Sequence, residues 1–285
     1  MFSHWEKLQM TKIALFGAGG KMGYRLARNL LKSDYEVLHV EPSPGGRERV
    51  KADFNIDCVD QDVALADADV VILATPDTLI GKISHQIAPS MKAGAMLMIL
   101  DAAAPFAGHL PDRKDLTYFI THPCHPIIFA DEAREEVIKD HFGGIAAKQS
   151  IVNSLMQGPE AHYAVGEAIA RTIWAPILRS HRVTVEQMAL LEPGLSETIG
   201  ATLVAVMKEA MDEVVARGKL EPVVARDFLL GHLNILMAVT FGEIPGAFSD
   251  ACNKAIQFGK PALMRPDWKH VFEPDEIAAS IKRIT

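Results

Sequence analysis

Over its first 120 residues the chain alternates short apolar runs with amphipathic stretches. Lys12-Ile13-Ala14-Leu15-Phe16 runs into glycines, the pattern of a strand covered on both faces. Similar runs predict strands at 36–40, 69–74, 95–100 and 117–121, with a weaker one at 56–59. Between the first two, residues 22–31 place Leu26, Leu30 and Leu31 on one helical face. Strands alternating with helices predict βαβ units, hence a doubly wound parallel sheet of the Rossmann type.

From about residue 158 the period changes to that of helices. Pro159 stands in a first turn, and Thr184 can cap a helix that Pro193-Gly194 interrupts. Helices follow at 195–216, 222–241, 247–258 and 275–284, with Gly218 and Gly242 as stops. The expected organisation is an α/β domain over 10–150 and an all-α domain over 151–285. The helices at 195–216 and 222–241 are apolar around much of their circumference, including Phe228, Leu229, Leu230, Leu233, Ile235, Leu236 and Met237. Such helices need cover on all sides, which predicts a homodimer through the helical part.

Composition narrows the class. The chain has 285 residues, 49% hydrophobic and 23% charged, with a net charge of −7. That is an ordinary globular composition. It lacks the basic field that nucleic acid or an anionic membrane surface requires. Cys58, Cys124 and Cys252 are widely spaced and form no CxxC pair, which favours a reducing cytoplasm over a disulfide framework. The first nine residues read as a loose arm without the apolar stretch of a signal peptide, and no uninterrupted apolar run approaches a membrane span.

Gly17-Ala18-Gly19-Gly20-Lys21-Met22-Gly23 follows a strand and opens a helix. Small residues there let the backbone turn and approach a pyrophosphate at the helix N-terminus. Glu41 ends the second strand, 24 positions after Gly17. A carboxylate there accepts ribose hydroxyls and repels a 2′-phosphate, favouring NAD over NADP, although Arg47 and Arg49 lie close by. Thr75 and Pro76 end the 69–74 strand and are expected to line the cofactor, while Asp101 stands at the same edge after the next strand.

Thr121-His122-Pro123-Cys124-His125-Pro126 follows the last of these strands. The prolines stiffen the turn, so both imidazoles have little freedom. A histidine at this edge can take a hydroxyl proton as hydride leaves, or bind a divalent metal. His122 and Glu192, with its helix break, are assigned to the metal, and His125 to proton transfer or substrate orientation. Glu197 is a weaker alternative to Glu192. His232 is expected to pack on an apolar face, His162 is left open between structure and function, and Glu209, Asp212 and Glu213 form a solvated face. Cys124 has no resolving partner and is given no thiol chemistry.

The glycine loop, the Ala-Thr-Pro turn at 74–76 and the His-Pro turn, followed by helices, resemble the prephenate and 6-phosphogluconate dehydrogenase group. The whole-chain pattern, with 121–126 and Glu192-Pro193-Gly194, more closely resembles the bacterial D-apionate oxidoisomerases. That resemblance implies NAD-dependent oxidation of a branched sugar acid, D-apionate to 3-oxo-isoapionate, with migration of a group between neighbouring carbons. It also implies the logic of ketol-acid reductoisomerases, whose rearrangement needs a divalent metal. Prephenate dehydrogenases carry one histidine in this turn and here there are two. The other readings are a plain NAD-dependent hydroxyacid dehydrogenase and an NAD-binding redox sensor without turnover.

Overall fold

Residues 11–129 and 132–284 are described in a computed structural model of the chain. The expected loose arm, residues 1–9, lies outside the described residues. The strands are β1 (Lys12–Phe16), β2 (Glu36–Val40), β3 (Val70–Leu73), β4 (Met96–Ile99), β5 (Thr117–Pro123), β6 (Gln149–Gln157) and β7 (Ile177–Arg182). They form one sheet in the order β2-β1-β3-β4-β5-β6-β7. The first five are parallel, β6 runs antiparallel to β5, and β7 lies parallel to β6. β3 and β4 are buried at every position, which is why they read as unbroken apolar runs.

Helices cover both faces. On one, α1 (Lys21–Leu30), α2 (Pro44–Phe54) and α7 (His162–Ile173) pack Leu26, Leu30, Val50 and Ile169 over Ile13, Leu15, Ile72 and Phe119. On the other, α3 (Gln61–Asp67), α4 (Asp77–Ile87) and α8 (Val185–Ala189) bring Leu65, Ile80, Ile87 and Met188 against Leu73, Leu97, Ile99 and Ile120. Two short helices, α5 (Ala103–Phe106) and α6 (Glu135–Ile138), lie in the connections after β4 and β5.

Three expectations are corrected. Residues 56–59 form no strand: only Val59 N–H reaches β2, at His39 O (2.9 Å), and one bond does not extend a sheet. The chain after 150 is not all helical, because β6 and β7 extend the sheet. The boundary expected near 150 therefore falls inside β6. Among the described residues one compact unit runs to Ala189 and takes in the chain again from Ala278, and the other is Leu190–Ile277.

That second unit is helical. A wide π-type segment, Leu190–Ala201, contains Pro193 and leads into α9 (Thr202–Gly218). Then come α10 (Pro222–Thr240) and α11 (Asp250–Leu263), and α12 (Pro274–Ile284) begins at its end. Lys219 takes a left-handed φ of 50° just past α9 and caps it through its N–H to Val215 O. No uninterrupted apolar run of membrane length is present among the described residues, yet two helical stretches are long and apolar enough by composition to reach that length. Val185–Gly218 and Pro222–Thr240 contain 18-residue windows of mean hydropathy 1.2 and 1.4. No uninterrupted run exists in either, because windows of this kind tolerate scattered charges.

Candidate active site

The glycine turn is built by close backbone approach. Gly17 takes φ 77°, and its N–H donates to Val40 O at 2.8 Å. A Cβ at Gly17 would lie 2.4 Å from Ala74 O, and one at Gly23 2.0 Å from Gly17 O. Only glycine fits either place. Lys21 starts α1, whose N-cap, Gly20, has no capping side chain and whose first turn carries no acid. Those amino-terminal N–H groups suit an anion.

Glu41 is buried beside this turn. Its Oε2 accepts the Gly19 N–H at 2.9 Å, and its Oε1 accepts the N–H and hydroxyl of Ser43 at 2.9 and 2.7 Å. Both nearby arginines are engaged. Arg47 donates to Glu41 O at 2.6 Å and pairs with Asp60, and Arg49 donates to Gly19 O at 2.8 Å. Both guanidiniums are thus committed to other partners, and the carboxylate opposes a 2′-phosphate. Thr75 stands one strand over, with its Oγ1 buried and unpartnered among the described residues, while Pro76 is the N-cap residue of α4. An orphaned hydroxyl beside a glycine cradle and an uncapped helix start fits a dinucleotide. Gly17, Ala18, Gly19, Gly20, Lys21, Met22, Glu41, Thr75 and Pro76 all lie at this sheet edge.

The same edge carries the histidines. His122 donates from Nδ1 to Leu100 O at 2.8 Å, which puts its proton on Nδ1 and its lone pair on Nε2. One ligand atom each of His122 and Asp101 lies within 4.8 Å of the other. Asp101 is buried at the end of β4 and accepts the Ala103 N–H at 2.6 Å. Crowding by surrounding protein pushes the neighbouring Asp77 carboxyl above its ordinary value; the Asp101 charge adds to this and His122 opposes it. His125 takes a left-handed φ of 60° and donates from Nδ1 to Phe142 O at 2.9 Å. The two imidazole centroids are 6.3 Å apart. Both rings thus present Nε2 as the basic atom. A carboxylate and an imidazole at this separation are a donor pair that suits a divalent cation.

Glu192 lies in the helical unit, one residue before Pro193, and Glu197 follows in the same segment. His232 departs from expectation. It is exposed on α10 and stacks on Phe228 at 4.1 Å instead of packing in a core. His162 is buried and hydrogen-bonds Thr117 Oγ1 at 2.6 Å, at the opposite end of β5 from the histidine turn. Asp212 and Glu213 pair with Lys208 and Arg217 on the exposed face of α9. Reading the sequence did not single out Phe142 or Arg25, and it took Asp101 only as a strand end.

Two family models match the chain. One, described as NADP oxidoreductase coenzyme F420-dependent, covers residues 12–105, and the other, phosphogluconate dehydrogenase (decarboxylating) C-term, covers 130–285. A protein from Cupriavidus necator named D-apionate oxidoisomerase is 68% identical over 96% of this chain and 99% of its own. One of the same name from Rhizobium rhizogenes is 66% identical over 97% of this chain and all of its own. A crystal structure described as a semialdehyde dehydrogenase NAD-binding protein from Cupriavidus necator, in complex with calcium and NAD, superposes with a TM-score of 0.95 at 68% identity. It covers 96% of this chain and 99% of that one.

Proposed function

This chain belongs to the D-apionate oxidoisomerase family, and we propose from that premise that it oxidises D-apionate with NAD and rearranges the product to 3-oxo-isoapionate. The observation that carries the reading is the single sheet edge where an uncapped glycine turn, Glu41, the orphaned Thr75 hydroxyl and two oriented imidazoles converge. The chain is an NAD-dependent oxidoreductase of the Rossmann type.

When bound, NAD would supply the hydride acceptor and a divalent cation would supply Lewis acidity. The residues supply the rest. The N–H groups at the start of α1 receive the pyrophosphate, and Glu41 accepts from the ribose. His122 Nε2 and the Asp101 carboxylate would hold the metal, and Glu192 is the further ligand expected from its helix break. An imidazole among the ligands favours a first-row divalent cation over calcium, which prefers oxygen donors. His125 Nε2 takes the proton of the hydroxyl being oxidised, or orients that hydroxyl. The relative solved with calcium and NAD supports both a dinucleotide and a divalent ion.

A second copy of the chain, we infer, covers the apolar face of the helical unit. α9 buries none of its residues and α10 only Ala225 and Ala238. The three cysteines are free thiols, in keeping with a reducing cytoplasm.

The test is turnover of D-apionate with NAD, with products read by NMR, before and after chelation and after adding back Mg²⁺, Mn²⁺, Zn²⁺ or Ca²⁺. The expected result is rearranged product that disappears with chelator and returns with a first-row ion. His122→Ala is expected to lower turnover about 10²–10⁴-fold while NAD affinity stays within twofold. Glu192→Gln is expected to weaken metal binding. Chelator-insensitive turnover would leave His122 as a general base and retire the metal. Oxidised but unrearranged product would make the chain a plain dehydrogenase.

A further inference from the structure

We propose that Phe142 is a positioning residue for His125, holding its tautomer and its ring plane. The inference rests on the catalytic reading of His125.

The chain between β5 and β6 returns across the start of α1. Phe142 sits on that return and is exposed. It touches His125 twice. Its main-chain carbonyl accepts the Nδ1–H at 2.9 Å, and its ring meets the imidazole edge-on, with centroids 5.9 Å apart and planes at 84°. The ring holds the imidazole in the rotation that makes the Nδ1–H bond to this carbonyl, and the carbonyl selects the Nδ1–H tautomer only while that rotation is kept. Together they leave Nε2 as the acceptor, aimed away from the Phe142 carbonyl.

Phe142 is itself held from α1. Lys21 Nζ lies 4.9 Å and Arg25 Cζ 4.3 Å from its ring centroid, both within cation–π range. The turn beneath it is tied down. Arg28 donates to Gly144 O at 2.8 Å, and one oxygen of Asp140 accepts the N–H groups of Ile145, Ala146 and Ala147. Gly143 follows Phe142 at φ 75°, where a Cβ would press on the Gln149 amide at 2.6 Å. The left-handed backbone of His125 marks the other end of the same arrangement. Such a conformation at a residue other than glycine persists only where its surroundings hold it. The helix that opens at the glycine turn is therefore joined to the imidazole through one aromatic ring.

Phe142→Leu keeps the carbonyl and the apolar bulk but removes the aromatic edge and the cation stacking. It is expected to lower kcat about tenfold, with NAD affinity within twofold. Long-range ¹H–¹⁵N correlation spectra of the histidine side chains are expected to show His125 shifting from a pure Nδ1–H tautomer to a mixture. Phe142→Tyr should restore both readouts. Arg25→Gln, which leaves the ring in place, is expected to act in the same direction and more weakly, and it supplies the test should the leucine variant fold poorly. A leucine or glutamine variant with wild-type kcat and an unchanged His125 tautomer would overturn the proposal. Failure of the catalytic reading looks different: His125→Ala would then turn over normally, whatever the spectra of the Phe142 variants show.

Discussion

The sheet-bearing unit and the helical unit use apolar residues in opposite ways. β3 and β4 hide every side chain between two helical layers, so the first unit completes its own core. In the second unit Phe258 is 81% and Leu263 79% exposed, and α9 has no buried residue. The difference teaches that apolar periodicity reports a demand for cover without saying which chain supplies it.

That contrast can be broken most severely at the glycine turn. Gly23→Ala puts a methyl group 2.0 Å from Gly17 O, where only backbone movement can relieve it. Thermal melting is expected to show a loss of roughly 4 kcal/mol or more, and calorimetry a collapse of NAD binding. The next effect sharpens the comparison. Leu97→Ala in β4 removes a fully buried side chain and is expected to cost about 2–5 kcal/mol at any protein concentration. Leu263→Ala is expected to cost less than about 0.5 kcal/mol in dilute solution. At micromolar concentration it should instead weaken assembly, seen as a lower mass by light scattering. A wild-type monomer at that concentration would undo the contrast.

The smallest effect concerns pH and belongs to the sheet-bearing unit. Burial holds His39 and His162 below the ordinary histidine pKa. The unfolded chain therefore binds protons that the folded one excludes once pH falls below about 6.5. Stability is full above that value and declines toward pH 5, which denaturant midpoints will register. His39→Leu should flatten the decline. A wild-type midpoint unchanged between pH 7 and 5 would contradict this account.

What the sequence disclosed follows the same physics. Strands buried on both faces announce themselves as apolar runs, and β1, β3, β4 and the start of β5 were read in that way. β6 escaped because its buried positions include Gln149, Ser150, Asn153 and Ser154. Tertiary hydrogen bonds make that burial tolerable: Gln149 donates to Trp174 O and Asn153 to Ser180 Oγ. β7 escaped as a mostly exposed strand carrying Arg179 and Arg182. The glycine turn and the histidine turn were legible because their chemistry is local. Asp101 was visible as a strand end, but its approach to His122 depends on neighbouring strands. Phe142 gave no signal at all, since its role depends on meeting α1 from more than a hundred residues away.

The fastening around Glu41 bears on how this protein can be altered, by selection or by engineering. Changing the dinucleotide preference toward NADP calls for removing that carboxylate and recruiting a cation. Here the carboxylate also ties down Gly19 and Ser43, and the two arginines within reach already brace main-chain carbonyls. Each substitution that loosens the preference therefore also removes scaffolding from the turn that receives the pyrophosphate. Cofactor choice and architecture are entrenched together, and single-step routes between the two dinucleotides pass through a weakened fold.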